Sequence, residues 1–168
     1  MRRDDNWKST KLEHTVNLIK QHFGQRCEGG VIVFAEYLGP LELLEIGVRK
    51  TLNRGCLYYK SSMSRKAKTS ALKKFEQGER DHQIILITTA CGGEGLNITA
   101  TGRQILMMLS FNPAKDAQAL KRAMRWGQDK TIHNDRLRLD MSYEMRTSTK
   151  ARYEMGAGQD HPQRQVAP

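Results

Sequence analysis

Apolar positions along the chain change period several times, and each change predicts an element. Leu12, Val16, Ile19 and Phe23 recur at spacings of four, three and four, one stripe of a helix. Thr10 and Glu13 have capping-box spacing at its start, and Gly24 supplies a stop. Val31 to Ala35 is an unbroken apolar run rich in β-branched residues, the pattern of a strand covered on both faces. A second helix is expected from Pro40, where a missing N–H costs nothing, with Leu41, Leu44 and Val48 inward. Leu57 to Tyr59 predicts a short strand. A third helix follows a Ser64 N-cap and ends near Gly78, with Ala67, Ala71, Leu72 and Phe75 inward. Two further buried strands are expected at Gln83 to Thr88 and Gln104 to Leu109, then a helix from Pro113 to Trp126 and an edge strand from Thr131 to Leu137. This alternation predicts an α/β fold with a mostly parallel, doubly wound sheet and helices on both faces. Ligands of such sheets bind beyond the carboxyl ends of the strands.

The length of 168 residues suits one domain. The polar stretch from Gly156 to Pro168 predicts a disordered tail at 156–168. The most apolar stretch, Ile105 to Leu109, is far short of the roughly 20 residues of a membrane span, and the opening MRRDDNW is not a secretory signal. No membrane partner is expected. Cys27, Cys56 and Cys91 form no C-x-x-C, which argues against a disulfide framework and fits a reducing compartment. The five histidines show no zinc spacing, so no structural metal is expected.

Charge changes the picture more. Lys and Arg number 28 against 18 Asp and Glu, for a net charge of +10, which favours a polyanionic partner. From Gly47 to Phe75 there are nine basic residues and no acid. Such a block suits a phosphate backbone, and it equally suits a solvated helix face.

Two stretches carry candidate chemistry. Thr88-Thr89-Ala90-Cys91-Gly92-Gly93-Glu94-Gly95-Leu96-Asn97 follows a buried strand with three glycines in four positions and two hydroxyls, so its backbone can approach a phosphate. A dinucleotide fingerprint from Gly93 lacks its third glycine, which disfavours a dinucleotide-dependent enzyme, and no P-loop sequence occurs in the chain. A glycine turn without a ligand is the plain alternative. In the second stretch, Gln118, Arg122 and Arg125 fall at i, i+4 and i+7 on one helix face. Two guanidiniums there suit the spread charge of a phosphoryl-transfer transition state, or are simply two surface arginines.

Taken together these blocks resemble the helicase C-terminal domain, the second RecA-like lobe, of Swi/Snf-type DNA-dependent ATPases in helicase superfamily two. The resemblance runs from about Ser9 to Tyr153. It rests on Ser9-Thr10-Lys11-Leu12, on Val31 to Ala35, on Thr88 through Thr99, on Asn112-Pro113 and on Gln118 through Gln128. It implies a three-layer RecA-like lobe over 9–155, behind an N-terminal extension at 1–8. It also implies arginine fingers at Arg122 and Arg125, and a nucleotide-facing set of Gly93, Glu94, Gly95 and Gln118. Contacts to the DNA backbone are implied at Ser61, Ser62, Lys66, Thr88, Thr89 and Gly92. The family's pattern is broken at Ala90, at Lys60-Ser61, at Met108 through Phe111 and at Met124.

The implied partners are double-stranded DNA or chromatin and a first RecA-like lobe, in the parent chain or in trans. The implied setting is the nucleus, in chromatin remodelling or DNA repair. ATP and Mg2+ would be held mainly by that first lobe, whose P-loop lysine and Asp-Glu motif this chain lacks. No cofactor and no activity are expected of the chain alone. A non-catalytic nucleic-acid-binding module derived from the same lobe is the alternative.

Overall fold

The computed structural model describes residues 8–25, 27–93, 98, 100–110, 113–121 and 132–139. Its elements in chain order are α1 (Thr10–Gly24), β1 (Gly30–Ala35), α2 (Leu38–Leu52), β2 (Leu57–Tyr59) and α3 (Arg65–Gln77). They continue with β3 (Ile84–Thr88), β4 (Thr101–Leu106), α4 (Pro113–Lys121) and β5 (His133–Arg136). Short 3-10 turns at Arg80–His82 and Thr89–Gly93 flank β3. Among the described residues the sheet has five strands in the order β2-β3-β1-β4-β5, and every pairing is parallel. This is the expected three-layer RecA-like α/β arrangement. The expected tail at 156–168, residues 1–7 of the N-terminal extension and the end of the fourth helix beyond Lys121 lie outside the described residues.

Why the layers form follows from β1. All six of its residues are buried, so it has no solvent face. Alternate side chains then supply two cores. Val31, Val33 and Ala35, with Ile84, Leu86 and Ile105, pack against Val16 and Ile19 of α1 and Leu41, Leu44 and Val48 of α2. Ile32 and Phe34, with Ile85, Ile87 and Leu106, pack against Phe75 of α3 and Ala119 and Leu120 of α4. Each fully buried Val, Ile, Leu or Phe contributes roughly 1.5–3 kcal/mol, so the two-sided sheet dominates the fold's stability.

The helix ends differ from the sequence expectation in detail. Ser9, not Thr10, caps α1: its hydroxyl accepts the Leu12 N–H at 3.4 Å, so the residue three after the cap is Leu12 rather than Glu13. Helix α2 starts two residues before Pro40, at Leu38; a proline in the first turn still removes no intrahelical bond. Ser64 caps α3 through the Ala67 N–H, and Gly78 ends it at φ 67°, a left-handed conformation that glycine adopts without a Cβ penalty. Strand β4 begins at Thr101, before the expected Gln104, and stops at Leu106. It passes so close to the α1–β1 connection that a Cβ on Gly102 would clash with the Glu28 carbonyl oxygen.

The early start adds Arg103 to Gln104 as a second long polar side chain in the interior. Arg103 is 7% exposed; its Nη1 donates to the Leu18 carbonyl at 2.9 Å and its Nε lies 2.8 Å from Asp135 Oδ2. This buried ion pair ties α1, β4 and edge strand β5 together. Nearby, His22 is fully buried and its Nε2 lies 2.9 Å from the Gly29 carbonyl oxygen. Since a carbonyl only accepts, Nε2 carries the hydrogen; burial lowers the pKa of the ring and keeps it neutral. Gln104 is also fully buried, registered with Ile32 and Asn134, and neither its amide nitrogen nor its oxygen has a partner among the described residues.

An unpaired buried amide costs about 1–3 kcal/mol. Gln104→Met, which keeps the length and removes both polar atoms, is therefore expected to raise stability by about that amount. A urea melt with a higher midpoint and an unchanged slope reads this out; a lower midpoint contradicts it.

Candidate functional site

Parallel pairing sends every strand's carboxyl end to one edge of the sheet, and the candidate residues follow those ends. Tyr59 of β2 is registered with Ile87 of β3, so the turn holding Ser61 and Ser62 leaves the sheet beside Thr88. That turn is closed by the Met63 N–H donating to the Lys60 carbonyl at 3.2 Å, and Ser61 and Ser62 are both exposed. Lys66 is exposed in the first turn of α3. The Ser61–Ser62 turn, the start of α3 and the end of β3 thus share one edge.

Thr88 and Thr89 are placed differently from each other. Thr88 is half-buried and its hydroxyl is hydrogen-bonded to the Cys91 sulfur at 3.2 Å, while Thr89 is buried. Gly92 and Gly93 close the 3-10 turn that follows β3. Glu94 and Gly95, and both Arg122 and Arg125, lie outside the described residues.

The glycine turn and the fourth helix follow different strands, β3 and β4, with β1 between them. They nevertheless share one core: Cys91 of the turn is buried with Ile98, Leu109, Ala119 and Leu120. Helix α4 packs directly on the turn. Gln118 stands exposed on α4, opposite the buried Ala119–Leu120 side.

A residue the sequence reading passed over holds α4 in this position. The buried Asp116 carboxylate accepts the Ser110 N–H, with Oδ1 at 3.2 Å and Oδ2 at 3.1 Å, and so staples the chain leaving β4 to the first turn of α4. Burial pushes the Asp116 carboxyl up to about 6; the Ser110 N–H and the Arg136 guanidinium oppose that shift, and Glu36 adds to it. The signal available in the sequence was the Pro113-x-x-Asp116 spacing, an acid in the first turn of a helix begun by proline.

Cysteine chemistry is disfavoured at Cys56, where burial pushes the thiol up to about 12. Among the described residues no group of three or more His, Cys, Asp or Glu could hold a metal ion. No helix of the described residues is long and apolar enough to cross a membrane.

Comparison with known proteins gives a consistent picture. Residues 10–127 match the family described as the helicase conserved C-terminal domain. The chain is 27% identical over 140 residues to the ATP-dependent helicase ULS1 of Saccharomyces cerevisiae, covering 83% of this chain and 9% of that protein. It is 32% identical over 130 residues to the DNA repair protein RAD5B of Arabidopsis thaliana, covering 76% and 10%. A bacterial relative, the putative ATP-dependent helicase/translocase YwqA of Bacillus subtilis, is 26% identical over 126 residues, covering 75% and 13%. Among solved structures, the C-terminal part of the Fun30 ATPase domain superimposes with a TM-score of 0.78 at 28% identity, over 88% of this chain and 47% of that one. The chain thus spans only about a tenth of the length of these full-length relatives.

Asp116 makes stability pH-dependent with a definite sign. Because its folded pKa lies above the ordinary value of 3.8, the folded state binds the proton more readily than the unfolded state, and the contribution of Asp116 to stability falls as pH rises from about 4 to 6. Asp116→Asn keeps an acceptor for the Ser110 N–H and cannot ionise. Its stability relative to the wild-type chain is expected to be higher at pH 7 than at pH 4. Urea midpoints of both proteins at the two pH values measure this, and a pH-independent difference contradicts it.

Proposed function

The chain belongs to the helicase conserved C-terminal domain family, as the second RecA-like lobe of the Swi/Snf type, and from that premise we propose that it forms one wall of an interlobe ATP site and part of a duplex-DNA track. The observation that carries the reading is convergence: the glycine turn after β3 and α4, the helix leading to the arginine motif, pack together in one core at the strand-end edge.

In this reading Arg122 and Arg125 extend from the end of α4 toward the γ-phosphate of an ATP molecule held chiefly by a first lobe. Gly93, Glu94, Gly95 and Gln118 line the same cleft. Two guanidiniums placed there stabilise negative charge spread over the equatorial oxygens of the transferring phosphoryl group in the transition state. The Asp116–Ser110 staple fixes the helix so that this placement needs no reorganisation during the reaction. Mg2+ does not fit the described residues, which offer no cluster of carboxylates for it, and it belongs with the first lobe.

Ser61, Ser62 and Lys66, with Thr88, Thr89 and Gly92, are proposed to hold the phosphate backbone of double-stranded DNA. The exposed Ser61–Ser62 hydroxyls and the Lys66 ammonium are available for direct contact, and the turn after Thr88 contacts through its backbone, since Thr89 is buried. Work on DNA in chromatin or repair, in the nucleus, follows from relatives such as RAD5B, a DNA repair protein. The net charge of +10 and the run from Gly47 to Phe75 with nine basic residues and no acid favour one further reading, a DNA-binding module without catalysis.

The two readings separate when the chain is joined behind a first lobe that carries a P-loop lysine and an Asp-Glu motif. Arg122→Ala or Arg125→Ala is expected to lower DNA-stimulated ATP hydrolysis about 1,000-fold or more, with duplex affinity retained. Undiminished hydrolysis overturns the arginine assignment, and no hydrolysis in the unsubstituted fusion favours the binding module. The 168-residue chain alone is expected to show no turnover above its double-arginine variant.

A further inference from the structure

Helix α3 divides its residues sharply. Ala71 and Phe75 are buried, Leu72 is partly so, and Lys68 folds inward with its ammonium 5.4 Å from the Tyr59 ring centre. The opposite side carries two rows, Arg65–Thr69–Lys73 and Lys66–Ser70–Lys74, which line a shallow open groove. Within each row successive side chains stand about 6 Å apart along the axis.

The electrostatics of this face are unfavourable as it stands. The first turn of α3 holds Arg65 and Lys66 and no acid, which sets two cations against the positive end of the helix dipole. Among the described residues Arg65, Lys66, Lys73 and Lys74 form no ion pair. The single acid of the helix, Glu76, lies toward the Arg65 side and pairs with none of them. Two cations elsewhere do have acidic partners, Arg49 with Glu45 at 2.9 Å and Arg103 with Asp135 at 2.8 Å. Lys73 and Lys74, toward the carboxyl end, are favoured by the dipole, so what the face carries is four mutually repelling cations within about 14 Å along the axis, a charge density that an external polyanion neutralises.

We propose that this outward face of α3 is a second track for duplex DNA, gripping one strand's phosphates along the flank of the domain rather than at the strand-end loops. The proposal rests on the DNA reading above and extends it to residues that reading does not use, Lys73 and Lys74. The dimensions agree: from Arg65 to Lys74 the axis runs about 14 Å, the span of about four phosphates of one strand. The exposed Ser70 hydroxyl sits between the cations as a donor to phosphate oxygens, whereas the Thr69 hydroxyl donates to the Arg65 carbonyl at 3.0 Å. The track is also continuous with the Ser61–Ser62 turn, because Ser64, the cap of α3, ends that turn. From there the helix runs back toward the opposite edge of the sheet, where Gly78 ends it, so its far cations lie away from the interlobe cleft.

The test is a titration of the full chain with a short fluorescent duplex at several salt concentrations, without nucleotide. Each phosphate contact contributes roughly 0.9 to the slope of log affinity against log salt. The double variant Lys73→Gln, Lys74→Gln, both exposed positions, is expected to reduce that slope by about two, and Lys73→Arg, Lys74→Arg to restore it. A parallel Ser61→Ala, Ser62→Ala variant reports on the strand-end contact. An unchanged slope in the glutamine variant, with weakened binding in the serine variant, overturns the track and leaves the strand-end reading standing. A slope reduced by the glutamine variant while the serine variant binds as before supports the track and counts against the strand-end contact. No salt-dependent duplex binding by the unsubstituted chain overturns both. Binding of polyglutamate that depends on Lys73 and Lys74, where duplex binding does not, assigns the face to an acidic protein and overturns the DNA assignment.

Discussion

Six consecutive buried residues in β1, hydrogen-bonded to β3 on one side and β4 on the other, leave that strand no contact with water. A strand in this position needs a helical layer above and below, and both layers are supplied by crossover connections that keep all strands parallel. Parallel strands in turn deliver their carboxyl ends, and the loops after them, to a single edge. The arrangement of candidate chemistry is therefore a consequence of covering β1. Loops separated in the sequence by dozens of residues become neighbours because their strands have no other way to run.

Within that edge the helical layer formed by α3 and α4 does two different jobs with its two faces. Inward, Phe75 of α3 and Ala119 and Leu120 of α4 complete the second core and seat α4 on the glycine turn. Outward, α3 presents Arg65, Lys66, Lys73 and Lys74, which form no ion pair among the described residues, and α4 presents Gln118, four residues before Arg122 in sequence. The division is sharpest on α3, where Lys68 is folded over Tyr59 while its neighbours at 66 and 69 stay in water. The proposed nucleotide and nucleic-acid surfaces of this lobe would accordingly be side products of helix amphipathicity, aimed by the core.

The flank formed by β4 and β5 obeys a different balance. Arg103, Gln104 and Asp135 put a charged pair and an unpaired amide where β1 has only hydrocarbon. A buried pair of this kind stabilises little in net terms, but loss of one partner is severe because the other charge is left in low dielectric. What the pair does provide is a specific tie: one guanidinium reaches both the Leu18 carbonyl in α1 and the carboxylate of the edge strand. Register between β4 and β5 is thereby fixed at Arg103 opposite His133 and at Ile105 opposite Asp135.

Periodicity alone was enough to locate β1, β2, α3 and its Ser64 and Gly78 ends, because hydrophobic alternation and cap chemistry are local and act within a few residues. The family resemblance, carried by the blocks at 88–99 and 118–128, was likewise written in residue order. Several features were not legible. Ser9 rather than Thr10 caps α1, and β4 starts at Thr101 because its pairing with Gly30 and the close pass of Gly102 decide the boundary, neither of which has a local signal. Asp116 looked like one more surface acid until the fold buried it against the Ser110 N–H, and Thr89, which reads as an available hydroxyl, is buried. Patterns that act over one helical turn or one strand can be read along the chain; burial, ion pairing and the pKa of a carboxylate depend on which distant segments arrive beside it, and those neighbours exist only once the sheet has assembled.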